Sequence, residues 1–143
     1  MEWIDALKIL FGAVLGLVIS QLQVFLTARR DRKRAEKMLR MELPTIRQVI
    51  DSFANSNRII PLTELPTLQY VGSAELSALP AELATDVYNL IEALKRTEIS
   101  RLQASTRLNN QDAEFQVHAQ VYWEYLHKAQ KSIDKLMSDL KQA

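Results

Sequence analysis

The stretch ILFGAVLGLVISQLQVFLTA, Ile9 to Ala28, decides how the rest of the chain is read. It contains no Lys, Arg, Asp or Glu over 20 residues. At ~1.5 Å per residue a helix of that length spans the ~30 Å of a bilayer's hydrocarbon. The run is apolar on every side, which separates it from the one-faced helix of a soluble core. A cleaved signal would have a basic start, a shorter apolar centre and a small-residue cleavage site. Here the start is Met1-Glu2-Trp3-Ile4-Asp5, and Arg29-Arg30 closes the run. The sequence therefore predicts a retained transmembrane anchor over 1–28.

The flanks orient it. Glu2, Asp5 and Lys8 precede the run; Arg29, Arg30, Arg32, Lys33, Arg34, Lys37 and Arg40 follow it, opposed only by Asp31 and Glu36. Basic flanks resist translocation, so the expected topology is N-terminus out and C-terminal domain cytosolic, in a cell inner membrane. The same basic cluster is a candidate for binding anionic lipid headgroups. Absence of cysteine is compatible with a reducing compartment. Trp3 suits the outer interfacial belt.

Beyond the anchor the chain reads as all-α. Residues 29–57 form a basic juxtamembrane helix and a first bundle helix, with Leu39, Leu43, Ile46, Ile50 and Phe53 recurring every three or four residues. Pro44 interrupts that pattern, and a kink or a break with restart is expected there. Asn55-Ser56-Asn57 mark the end. Residues 58–79, punctuated by Pro61, Pro66 and Gly72, read as an irregular connection with a short helix over Ser73 to Leu79. Residues 80–143 carry two more helices. Pro80 suits a first helical turn, and Leu83, Val87, Leu90 and Leu94 give a face continuing to about Leu102. Asn109, Asn110 and Asp112 signal a turn and cap. The last helix spans about Asp112 to Leu140, with Phe115, His118, Tyr122, Tyr125, Ala129, Ile133, Leu136 and Leu140 as its stripe. Three helical segments of similar length predict an antiparallel three-helix bundle.

Candidate sites follow from residue type and spacing. Two of the three glycines, Gly12 and Gly16, make G-x-x-x-G in the membrane run, extended by Ser20. Small residues four apart form a ridge that a second helix can approach closely. Gln21 and Gln23 add polar groups that a partner helix could satisfy. The expected partners are the lipid bilayer and a second copy or another membrane protein. Trp123 falls off the core face of the last helix and is a candidate exposed contact. Nucleic acid is not an expected partner, because residues 41–143 carry 10 basic and 13 acidic side chains, a net −3.

Chemistry finds little support. Glu124-Tyr125-Leu126-His127 has the Glu-x-x-His spacing of helical di-iron sites, but there is no second copy, and Glu114 and His118 are four apart. Cysteine nucleophiles are excluded, no Ser/His/Asp motif stands out, and the phosphate-cradling glycine loop is missing. No catalytic residue, metal ligand or cofactor is assigned, and the chain is not read as an enzyme. A metal- or ligand-binding helical enzyme around Glu124 and His127 is the alternative from another class. A phage lysis-type component of inverted topology is a third, against which the basic flank argues.

Leu79-Pro80-Ala81-Glu82-Leu83-Ala84, followed by Val87-Tyr88 and Leu90, resembles a phrase found in small uncharacterised bacterial membrane proteins. These have an N-terminal membrane helix, a basic flank and a cytosolic helical domain. The resemblance implies a bacterial or phage inner-membrane protein. It brings no activity and no functional residues with it.

Overall fold

The computed structural model describes residues 2–56, 59, 68, 71–107 and 113–142. They form four helices and, among the described residues, no strand: α1 (Glu2–Asn55), α2 (Ser73–Ala78), α3 (Ala81–Thr106) and α4 (Ala113–Gln142). The turn residues Asn57, Asn109, Asn110 and Asp112 and the prolines Pro61 and Pro66 lie outside the described residues.

α1 is one unbroken helix of 54 residues, about 80 Å long. It absorbs both the apolar run and the first bundle helix. Pro44 sits inside it, so the break with restart does not occur. A proline mid-helix removes the hydrogen bond to the carbonyl four residues back, here that of Arg40, and costs ~3 kcal/mol. Burial on both sides of the defect offsets that cost: Leu39 and Leu43 before it and Ile46, Ile50 and Phe53 after it are all within the core. The ring of Pro44 itself points away, exposed.

The core begins one turn earlier than the sequence pattern, at Ala35. It joins the α1 face to Leu76 of α2, to Val87, Leu90, Ala93 and Leu94 of α3, and to Tyr122, Leu126, Ala129, Ile133, Leu136 and Leu140 of α4. α4 runs antiparallel to both long neighbours. Against α1, Arg47 pairs with Asp134 and Gln130 donates to Asp51 at 2.8 Å. Against α3, Asp86 pairs with Lys135 at 2.7 Å, Arg96 meets Tyr125 and Arg107 pairs with Glu114. α1 and α3 thus run parallel, and no Cα of one comes within 8 Å of the other. Instead α2 touches both. Its start is fixed by Glu75, whose Oε2 accepts from the Gly72 N–H at 3.0 Å. Leu76 and Leu79 anchor this short helix in the core.

The registers differ in consequence. Asn55, the end of α1, lies level with about Leu126, so the first half of α4 extends past α1 and packs on α3 alone. Pro80 stands just before α3 rather than within its first turn. α3 runs one turn beyond Leu102.

Candidate membrane and partner surfaces

The first half of α1 is not packed into the core. Every described side chain from Ala6 to Arg34 is exposed, and the most apolar window has mean hydropathy 2.2 with none of it buried. Twelve large apolar side chains between Ile9 and Leu26 are 49–74% exposed. One helix is thus long and apolar enough to cross a membrane. Gly12, Gly16 and Ser20 lie along it on nearly one line, because four residues advance ~400°. A Cβ added at Gly12 or Gly16 would meet nothing within 4 Å, so the ridge is open. Gln21 and Gln23 are exposed as well.

The basic flank divides into two groups. Arg32 donates to Glu36 at 2.8 Å, and Arg40 reaches the Leu140 carbonyl at 2.6 Å, tying α1 to the end of α4. Arg29, Arg30, Lys33, Arg34 and Lys37 are exposed, and among the described residues they make no ion pair. Two grooves flank this region. One, about 380 Å³, is floored by Leu43, Pro44, Met137 and Leu140 between Arg40 and Lys141. The other, about 660 Å³, fills the gap between α1 and α3; Glu36, Glu82, Asp86 and Asp139 outnumber Arg32 and Lys135 in its walls.

The aromatic cluster of α4 is arranged differently from its sequence pattern. Tyr122 is fully buried. Trp123, expected to be exposed, is only partly so: it packs against the core and sets its ring edge-on to Tyr122, centroids 4.9 Å apart at 70°. Tyr125, expected in the core, is half-buried and outside the central core. Its hydroxyl accepts from Arg96 at 3.1 Å, and Arg96 and Lys128 lie 5.5 and 4.6 Å from its ring centre. Leu126 takes the core place instead. Phe115 is half-buried and does not belong to the central core.

The Glu-x-x-His pair of α4 is engaged elsewhere. Glu124 accepts from Lys128 at 2.8 Å, and His127 Nδ1 lies 3.0 Å from Gln130 Oε1. His127 is exposed and His118 half-buried, near Arg107 and Glu114. Among the described residues no three His, Asp or Glu side chains are grouped to hold a metal ion.

Sequence reasoning missed a buried polar patch on α3: Thr97, Ser100 and Arg101. Arg101 donates to both oxygens of Glu98, at 2.7 and 2.5 Å, and Thr97 Oγ1 caps the Ala93 carbonyl at 2.7 Å. A charge pair three residues apart on a helix reads as a solvated face, so only tertiary contact reveals the burial. Across this patch lies the Tyr122 hydroxyl, buried and without a hydrogen-bond partner. Burial pushes its pKa up to about 12; Arg101 opposes the shift and Glu98 adds to it. At the α1–α4 contact, burial pushes the Asp51 carboxyl up, but hydrogen bonds from Gln130 and Arg47, with the Arg47 charge, outweigh it and hold Asp51 below its ordinary value.

On the outer side of α3, Tyr88, Ile99 and Leu102 are each about half exposed and share one face. Comparison of the chain with protein families, curated proteins and solved structures gave no match.

Proposed function

We propose that this is a single-pass inner-membrane protein whose anchor carries a cytosolic three-helix bundle, and that it works as an interaction or scaffold module. The observation that carries the reading is the first half of α1: twelve large apolar side chains exposed along a run without a charged residue, none of its most apolar window buried. Transfer of each half-exposed side chain to hydrocarbon is worth roughly 1 kcal/mol, so the run favours lipid by on the order of 10 kcal/mol. The excess of Lys and Arg after the run supports an N-terminus outside and the bundle in the cytosol. An interaction role draws support from two unpartnered surfaces, the Gly12–Gly16–Ser20 ridge and the Tyr88–Ile99–Leu102 face of α3.

In lipid no hydrophobic gain brings helices together, so close packing and polar contacts must drive pairing. Gly16→Ile places a branched side chain on the ridge while keeping the run apolar. It should insert normally and lose crosslinking between copies in native bilayers, whereas Val18→Ile, off the ridge, should crosslink like the wild type. Equal crosslinking by all three would sink the role of the glycines.

A further inference from the structure

At ~100° per residue, Arg29, Arg30, Lys33, Arg34, Lys37 and Arg40 fall within about 140° of the α1 circumference. All six are exposed. The sector's middle stands roughly opposite the face holding Ala35, Leu39, Leu43, Ile46, Ile50 and Phe53, which is buried. The one basic residue of the flank on the core side, Arg32, is paired with Glu36. Asp31 and Glu36 lie outside the sector. A topology signal needs Lys and Arg near the span, not gathered on one side of the helix.

The stripe is also short. It covers 12 residues, a rise of ~16 Å. Beyond it on the same face Met41, Pro44, Thr45, Gln48 and Ser52 are exposed and uncharged, while the two charged residues there, Arg47 and Asp51, are only partly exposed and pair with each other, Arg47 also with Asp134 of α4. The attraction of an anionic leaflet for basic side chains fades over a Debye length of ~8–10 Å. Basic charge without a carboxylate partner thus ends one to two such lengths above the proposed hydrocarbon edge, which matches a lipid surface. A soluble acidic partner would gain as much from charges at Thr45 or Gln48. On the other side of α1, the groove beside α3 is lined by four carboxylates against two cations.

We infer that this basic sector binds the anionic headgroups of the leaflet from which α1 emerges, and that the binding leans α1 toward its basic side. The inference rests on the membrane reading above. An upright α1 would hold Arg40 ~18 Å beyond Ala28. Tilts of ~20° and more are ordinary for membrane helices, and a lean in this direction lowers the whole stripe. It lifts the acid-lined groove and α3 away from lipid. The flank thereby sets which side of the bundle faces the cytosol.

The chain has no cysteine, so Gln48→Cys gives a single labelling site on the same face, above the stripe. The full chain, labelled there with a donor dye, would be reconstituted in nanodiscs containing an acceptor-labelled headgroup. Discs of phosphatidylcholine alone would be compared with discs holding 30% phosphatidylglycerol. Energy transfer should rise at least twofold with the anionic lipid, and the rise should vanish in 0.5 M NaCl. It should also vanish in the Arg30→Gln, Lys33→Gln, Arg34→Gln, Lys37→Gln variant, and persist in Arg32→Gln, Lys135→Gln. Equal transfer in both lipids, or a rise that survives the fourfold neutralisation, overturns the inference while leaving the anchor intact. A chain that fails to co-float with liposomes overturns the anchor, and the inference with it.

Discussion

Replacing Tyr122 by Phe should stabilise the protein. The Tyr122 hydroxyl is buried and, among the described residues, has no hydrogen-bond partner, while the ring is held edge-on against Trp123. A buried polar group left unbonded costs ~1–3 kcal/mol of desolvation. Removing one oxygen forfeits only a few dispersion contacts, each worth ~0.1–0.2 kcal/mol. The net expectation is a gain of about 1 kcal/mol, or a rise of roughly 0.5 M in the urea midpoint for a slope near 2 kcal/mol/M. Trp123 is the natural probe, and Trp3→Phe makes it the sole tryptophan, since the chain has two. The pH dependence supplies a second reading. The folded state holds the Tyr122 proton more tightly than the unfolded state, so this contribution is full below pH 10 and is lost as pH rises toward about 12. The loss is on the order of 2–3 kcal/mol. The Phe variant should lack that part of the alkaline destabilisation. A variant 1 kcal/mol less stable than wild type, with the same alkaline profile, would refute the reasoning and show that the hydroxyl is bonded in solution.

Leu90 is fully buried, and Leu90→Asp should unfold the bundle, since an unpaired charge in an apolar core costs several kcal/mol; a circular dichroism melt unchanged by the substitution would show that the α3 face is wrongly placed. A C-terminal alkaline phosphatase fusion should be inactive, because the phosphatase requires export and, in the proposed topology, the seven basic residues after the apolar run hold the C-terminal helices in the cytosol; full activity would reverse that topology.

The helical faces were legible because apolar spacing of three and four leaves few alternatives. Leu39 to Phe53 on α1, Leu83 to Leu94 on α3 and Ile133 to Leu140 on α4 point where the pattern puts them. Where two apolar residues stand side by side, the pattern cannot choose. Tyr125 and Leu126 both fit a helical stripe; Leu126 is buried, and Tyr125 stays where its hydroxyl and ring meet Arg96. Trp123 lies at the edge of the face and is large enough to reach the core from there, which leaves it partly exposed. Pro44 marks a local penalty whose outcome depends on tertiary burial either side of it. Arg101 and Glu98 were illegible in principle, because an ion pair three residues apart looks alike in solvent and under a neighbouring helix. The glycine ridge and the basic flank needed no fold at all, but the gathering of the basic side chains opposite the core emerged only once the buried face of α1 was known.

The staggered lengths of α1 and α4 turn the protein into a mast. In the proposed membrane placement, with hydrocarbon ending at Ala28, the 27 residues to Asn55 would rise ~40 Å, and the overhanging α3–α4 hairpin would add ~20 Å more. Its tip, near Arg107 and Glu114, would then stand about 60 Å from the lipid. The end of α4, tied to Arg40 at 2.6 Å, would come back down to within ~20 Å of it. In that placement tip and tail would reach different heights above the bilayer. A partner gripping the hairpin tip must be tall or free in solution. A domain joined after Gln142 would sit close to the bilayer, beside the foot of its own anchor.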